Sequence, residues 1–475
     1  MFIDRKKELS ALLRRFQGKN AELVILYGRR RVGKSELLDK FLSQTRGIRL
    51  LAREESKHLQ LRRISAELAD LFQDEYLRYA PFPDWDAFFL YLLHHGDTRT
   101  VIAIDEFPYL VQEEPALPSL LQYYWDTGLS KSRLFIILSG SSIRFIESHL
   151  MQYKSPLYGR RTGQILLKPF RFIDYYPYVC DIQTAIILYG IFGGTPAYCL
   201  LEDPSADIED IIIQNLLAED AFLFRDVEFV LRMELKEPRY YYSILLSIAN
   251  GNTTIGRITN DCGLDKGIVS KYLSTLADLQ LIRREIPILA DASSRKGIYL
   301  LNDNLFSFWF RFVYPYRKEI ERGEARYVFR ERIAPDLQVY LGYRFEEIIL
   351  DIFYLFNSKG IFPVRFKEIG RWWHKEQEID LIAYDPISDT ILFCECKWQD
   401  RVSVSRIMNG LQKKTSSVKW GSSARKEIFC IVARSVQKNL SHKEEDCMVF
   451  DLADLERILK SCLDTSIGQG SSDGS

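Results

Sequence analysis

The 475-residue sequence has no excess of either charge: Lys and Arg together number 64, and so do Asp and Glu. That balance excludes a protein that coats nucleic acid or membrane through bulk charge, and it leaves such binding to local patches. The eight cysteines, Cys180, Cys199, Cys262, Cys394, Cys396, Cys430, Cys447 and Cys462, include no CxxC pair and no Cys/His grouping at zinc spacing. Reduced thiols without disulfides are expected, as in a cytoplasmic protein. The opening MFIDRKKELS has no apolar signal-type region, and no apolar run is long enough to span a bilayer. A soluble chain without a membrane partner follows as the expectation. At 47% hydrophobic and 27% charged, the composition is too apolar for disorder and the chain too long for one core, so about three domains are expected.

What is present starts with LYGRRRVGKSELL at 26–38. The run AELVILY before it reads as a buried parallel strand, and the helix after it is amphipathic. A glycine, four residues and Gly33-Lys34-Ser35 therefore lie where a phosphate-binding loop belongs. In that reading the backbone amides of Gly28, Arg29, Arg30, Arg31, Val32 and Gly33 curl around the phosphates, while the arginine side chains point away toward packing or partner contacts. Lys34 reaches the β and γ oxygens of ATP, and the Ser35 hydroxyl coordinates Mg2+.

VIAIDEF at 101–107 supplies the second half of such a site, an apolar strand running into paired acids. Asp105 would hold Mg2+ through water, and Glu106 would polarise the attacking water. A third strand, LFIILSGSS at 134–142, ends in hydroxyl residues, of which Ser141 is preferred over Ser139 as the group that senses the γ-phosphate. In LYGRRTGQ, Arg160 and Arg161 precede another strand. Arg160 stands where an arginine finger would reach a neighbouring copy in a homo-oligomer, with a structural salt bridge as the alternative.

FIDRKKELSALL, GRRRVGKS, IDEF, LSGSS, LYGRR and FGGTPAYCL together resemble the archaeal ATPase family within the AAA+/STAND-like P-loop proteins. The resemblance covers residues 1–225. It implies a three-layer α/β core with a helical lid, in which Gly193, Gly194 and Pro196 mark a turn near the nucleotide.

Residues 226–317 read as a winged-helix module with a docking helix. Ile255, Ile258, Leu264, Ile268, Tyr272, Leu276 and Leu279 form the apolar stripe of two helices crossing at Cys262-Gly263, and two strands around a basic loop follow. If the module binds DNA, Lys266, Ser270 and Lys271 face the major groove, and Arg295 and Lys296 reach a phosphate or the minor groove. If it is a packing module, they do not. DNLFSFWFRFVYPYR at 303–317 is the aromatic docking helix, and the charged stretch 318–333 reads as a connector.

The last domain spans 318–465, with a disordered tail at 466–475. YRFEEIILDIF reads as an amphipathic helix, RWWHKEQEIDLIAYD as a strand ending in a turn, and DTILFCECKWQD as a second strand. Alternation puts Glu395 and Lys397 on one face and Cys394 and Cys396 on the other, with Asp380 able to sit beside the first pair. This constellation resembles the PD-(D/E)xK nuclease superfamily, with Ile379 where proline stands in that motif. Asp380 and Glu395 would hold Mg2+, Lys397 would orient the nucleophile or stabilise charge, and Glu346 or Glu347 would complete the site. The tract 401–426 carries seven Lys or Arg and no acid, which suits a phosphodiester backbone. The resulting expectation is an ATPase whose nucleotide cycle controls a DNA-binding, nuclease-like domain. Its alternative is an ATP-dependent regulatory switch that binds DNA or protein partners without cleavage.

Overall fold

The apolar runs at 22–27, 101–105 and 135–140 sit at the centre of a parallel sheet in the computed structural model, which describes residues 5–179, 181–199, 205–235, 238–291, 294, 296–437 and 447–464. Its strands are β1 (Glu22–Tyr27), β2 (Gly47–Leu51), β3 (Val101–Asp105), β4 (Phe135–Gly140) and β5 (Gly163–Leu166). They lie in the order β2-β3-β4-β1-β5, all parallel. Both faces are covered, which is why the strands read as unbroken hydrophobic runs. Leu23, Ile25, Ile102, Ile136 and Leu138 pack on one side, and Val24, Leu26, Ala103, Phe135 and Ile137 on the other. Helix α1 (Lys34–Leu42) follows β1 directly and buries Leu37, Leu38 and Phe41 against the second face.

The chain divides into two compact units, one formed by residues up to Pro169 together with Thr195–Ala197, the other by Phe170–Gly194 and the chain from Tyr198 onward. Most of the segment that the resemblance assigns to a lid thus groups with the C-terminal half.

In the second unit, α2 (Pro238–Ala249), α3 (Ile255–Cys262) and α4 (Lys266–Asp278) are followed by an antiparallel ribbon of β6 (Ile282–Glu285) and β7 (Ile298–Leu301). Thr254 and Asp265 cap α3 and α4 with their side chains, and Gly263 takes the left-handed turn between them at φ 63°. On α4 the apolar stripe is displaced by one residue at two of its expected positions, Ile268 and Tyr272. Ile268 is exposed, and the inward face of α4 is Val269, Leu273 and Leu276. Of the basic loop, Arg295 lies outside the described residues.

The aromatic segment after β7 is helical and buries Phe306, Phe308, Trp309 and Phe310. The stretch read as a connector is also helical, with Ile320, Val328 and Ile333 inside, because its charges alternate with these apolar anchors. It leads into α5 (Ala334–Lys359). Against α5 packs a second sheet with strand order β12-β11-β10-β9-β8: β8 (Glu368–His374), β9 (Gln377–Asp385), β10 (Thr390–Lys397), β11 (Lys426–Ala433) and β12 (Cys447–Phe450). β8, β9 and β10 form an antiparallel meander, and α6 (Val404–Thr415) returns the chain so that β11 runs parallel to β10. The stretch RWWHKEQEIDLIAYD is therefore a hairpin with its turn at Lys375-Glu376, and Asp380 stands on the second of its two strands. The seven described cysteines are free thiols; Cys180 and the tail expected to be disordered lie outside the described residues. Among the described residues no helix is long and apolar enough to cross a membrane.

Candidate functional site

Two groups of residues singled out from the sequence converge, one in each unit. In the first, Gly28 is required sterically, since a Cβ there would lie 2.3 Å from the Leu167 carbonyl oxygen. Gly33 adopts φ 88° and caps α1 without a side chain, so the helix's first amides face the loop. Lys34 is buried, and its ammonium donates to the carbonyls of Gly28 at 3.0 Å and Arg29 at 3.1 Å. Val32 is a core side chain packed with Leu37 and Leu38, so only its backbone is available to a ligand. Arg30 reaches Tyr109 at 3.4 Å, and Arg29, Arg30 and Arg31 are all half-buried.

At the ends of β3 and β4 the acids and hydroxyls meet this loop. Ser35 Oγ donates to Asp105 Oδ2 at 2.9 Å, which links the two halves of the site across 70 residues of sequence. Asp105 is almost wholly buried and also pairs with Arg49 on β2 at 3.1 Å, a partner that local spacing does not reveal. Glu106 has left-handed backbone, φ 53°, at the start of a helix, and its Oε2 accepts from the Ser141 hydroxyl at 2.9 Å and the Ser141 amide at 3.3 Å. Ser139 is a core residue. Arg160 grips Asp126 through two hydrogen bonds of 2.9 and 3.2 Å, the salt-bridge arrangement.

In the second unit, Asp380, Glu395 and Lys397 come together across neighbouring antiparallel strands. Lys397 Nζ lies 3.3 Å from Asp380 Oδ2 and 2.7 Å from Glu395 Oε2, and the Cys396 amide donates to Asp380 Oδ2 at 2.7 Å. Both carboxylates are nearly inaccessible, Asp380 at 7% and Glu395 at 5% exposure. Burial and the Glu395 charge raise the Asp380 pKa, opposed by Lys397 and the Cys396 amide. Burial alone would lower the Lys397 pKa, but the two carboxylates outweigh it and raise it. A residue not anticipated completes the group: Lys414, on α6 inside the basic tract, reaches Glu395 Oε1 at 2.5 Å. Part of that tract is therefore internal, whereas Arg401, Arg406, Lys413 and Lys419 remain exposed.

The two glutamates on α5 separate. Glu346 neighbours this group, and burial followed by Asp380 pushes its pKa up to about 8, with Arg371 at 3.0 Å opposing. Glu347 pairs with Arg344 at 2.8 Å and with Arg283 of β6. These cations overcome its burial and hold its pKa at about 2. Among the described residues no three His, Cys, Asp or Glu side chains are clustered as a metal cage. Two carboxylates with only oxygen donors do fit Mg2+, which is commonly held by one or two carboxylates, with waters and substrate phosphates filling the rest.

The parallel sheet, the glycine loop capping α1 and the Ser35–Asp105 pair define an ATPase domain of archaeal type that binds ATP. Residues 2–180 match the model described as "ATPase domain predominantly from Archaea", and residues 309–409 that of "Archaea bacterial proteins of unknown function". The chain belongs to the same family as an uncharacterised protein of Methanocaldococcus jannaschii, with 34% identity over 460 residues, 96% of this chain and 100% of that relative. A shorter match, 57% identical over 42 residues, covers 9% of this chain and 71% of an uncharacterised ATP-binding protein from the same organism. Among solved structures, it is similar to a Walker-type ATPase of Pyrococcus abyssi, with TM-score 0.47 and 22% identity over 65% of this chain and 96% of that one. It is also similar to the ORC2 protein of Aeropyrum pernix, with TM-score 0.44 and 13% identity over 68% and 95% of the two chains.

Proposed function

We propose that this chain hydrolyses ATP and uses the nucleotide cycle to govern a DNA-binding, metal-dependent nuclease domain at its C-terminal end. The observation that carries the reading is the buried group of Asp380, Glu395 and Lys397 with Glu346 beside it. Burying such a group carries a desolvation cost, and groups of this kind cluster at functional sites. Asp380 and Glu395 would hold Mg2+, which supplies Lewis acidity toward a phosphodiester and a more acidic water. Lys397, fixed by both carboxylates, orients the nucleophile or neutralises the charge that grows on the phosphate. In the ATPase domain, Lys34 binds the β and γ oxygens, Ser35 and Asp105 hold Mg2+, and Glu106, aligned by Ser141, polarises water. Helices α2–α4 and the β6–β7 ribbon support a winged-helix reading, with Lys266, Ser270 and Lys271 exposed on α4.

A second reading, a switch that binds DNA without cutting it, draws support from Glu395, both of whose oxygens are engaged by lysines. Cleavage of plasmid, linear and branched DNA, with and without Mg2+ or Mn2+ and ATP, separates the two. Wild type is expected to nick or cut only with a divalent cation, and both Asp380→Ala and Lys397→Ala to lose cleavage. Undiminished cutting by Asp380→Ala refutes the nuclease reading, and tight DNA binding without any cleavage favours the switch.

A further inference from the structure

A cleft of about 1140 Å³ in the second unit is lined by α3, the start of α4, the β6–β7 ribbon and the β8–β9 hairpin, and its lining includes Asp380. Six cationic side chains border it, Arg257, Lys266, Arg284, Lys296, Arg371 and Lys375. Against them stand three carboxylates, Glu376, Glu378 and Asp380, the last of which belongs to the candidate cleavage site. Trp373 and His374, both half-buried, form part of its wall.

Duplex reading by a helix-turn-helix needs the N-terminal residues of the second helix to enter a major groove ~12 Å wide. Lys266, the first residue of α4, instead lines the same cleft as Lys375 and Glu376 at the hairpin turn. The ribbon is also tied down. Lys296 Nζ donates to His374 Nδ1 at 2.9 Å, and the Lys296 carbonyl accepts from Trp373 Nε1 at 3.1 Å. Lys296 is thus engaged with the hairpin, not held out toward a groove. A cleft of this size is comparable with large small-molecule pockets, roughly 300–1,000 Å³, and has room for a few nucleotides of one strand.

We infer that this cleft threads a single strand of DNA to Asp380, so that the substrate is single-stranded or flapped DNA, not continuous duplex. The inference rests on the nuclease reading above and specifies its substrate. The exposed cations Arg257, Lys266 and Lys375 track the phosphates and Trp373 offers a stacking face, the combination by which proteins hold single strands without reading sequence. With Asp380 on the cleft's lining, the backbone of the threaded strand is brought beside the candidate cleavage site.

The test is fluorescence anisotropy of the full chain with a labelled oligo(dT), a 5′-flapped duplex and a blunt duplex of equal length, in EDTA, over a salt series. The oligo(dT) and the flap are expected to bind at least tenfold tighter than the blunt duplex. Trp373→Ala should weaken oligo(dT) binding about tenfold, with Trp373→Phe restoring most of it. Arg257→Gln, an exposed change on α3, should lower the salt slope by about 0.7, because one phosphate fewer is neutralised. Thermal unfolding of each variant establishes that it is folded. Equal or tighter binding of the blunt duplex, or wild-type oligo(dT) affinity and salt slope in both Trp373→Ala and Arg257→Gln, overturns the threading inference and leaves Asp380-dependent cleavage standing. Cleavage that survives Asp380→Ala overturns the nuclease reading instead, whatever the binding preference.

Discussion

Glu346 and Glu347 are neighbours on α5, yet one is held near pKa 8 and the other near 2. The difference follows from what each faces: Glu346 meets Asp380, and Glu347 lies between Arg344 and Arg283. At pH 7 Glu346 is largely protonated, so Glu346→Gln should leave the urea midpoint of the second unit nearly unchanged. Glu347→Gln takes the carboxylate from Arg344 and leaves Arg283 only Glu285, at 3.5 Å, and should destabilise by about 2–3 kcal/mol. Equal losses in the two variants would contradict this division of roles.

Asp351, also on α5, makes a pH-dependent contribution. Burial and nearby Asp174 raise its pKa to about 6, against the pull of Arg171 and the amides of Phe172 and Ile173. Since the folded value lies above the ordinary one, its contribution is fully present below about pH 4 and is lost as the pH rises through about 6. Asp351→Asn should therefore gain on wild type between those values, reaching at most about 3 kcal/mol by pH 7. Parallel urea titrations from pH 4 to 8 read the difference, and curves that stay parallel across the range would refute it.

Lys34→Ala should weaken ATP binding a hundredfold or more, about 3 kcal/mol, by removing the charge on the phosphates. Glu106→Gln should keep ATP affinity within about threefold while turnover falls at least ~100-fold, the range for removal of a general base. Ser141→Ala, which frees the Glu106 carboxylate, should lower turnover and not affinity. Nucleotide titration beside steady-state phosphate release distinguishes these, and parental turnover in Glu106→Gln would remove that residue from its assigned role.

If Glu395 holds a metal ion as proposed, Lys414 competes with that ion for it. Its removal in Lys414→Ala should tighten Mn2+ binding, on the order of tenfold for one ammonium at partial exposure. Asp380→Ala should instead weaken it, and Lys397→Ala, which takes an ammonium from both carboxylates, should tighten it at least as much as Lys414→Ala. Calorimetric titration with Mn2+ alone measures all three, and weakening in Lys414→Ala as large as in Asp380→Ala would show that the lysine supports the site structurally.

Much of what short spacing governs was legible in the sequence itself. Unbroken apolar runs marked β1, β3 and β4 because a doubly covered parallel strand has no wet face. The separation of Gly28 from Gly33-Lys34-Ser35 marked the phosphate loop, and the two-residue period of β10 put Glu395 beside Lys397. Only the tertiary structure decided which polar groups meet across long separations: Ser35 with Asp105, Ser141 with Glu106, Lys414 with Glu395, Arg283 with Glu347 and not Glu346. It also decided that Val269 and not Ile268 faces inward on α4, and that Lys296 docks on His374. Local periodicity places a side chain on a face of its own element. Which charge that face meets depends on how helices and strands tens of residues apart pack, and burial in that packing then sets whether a carboxyl group keeps its proton.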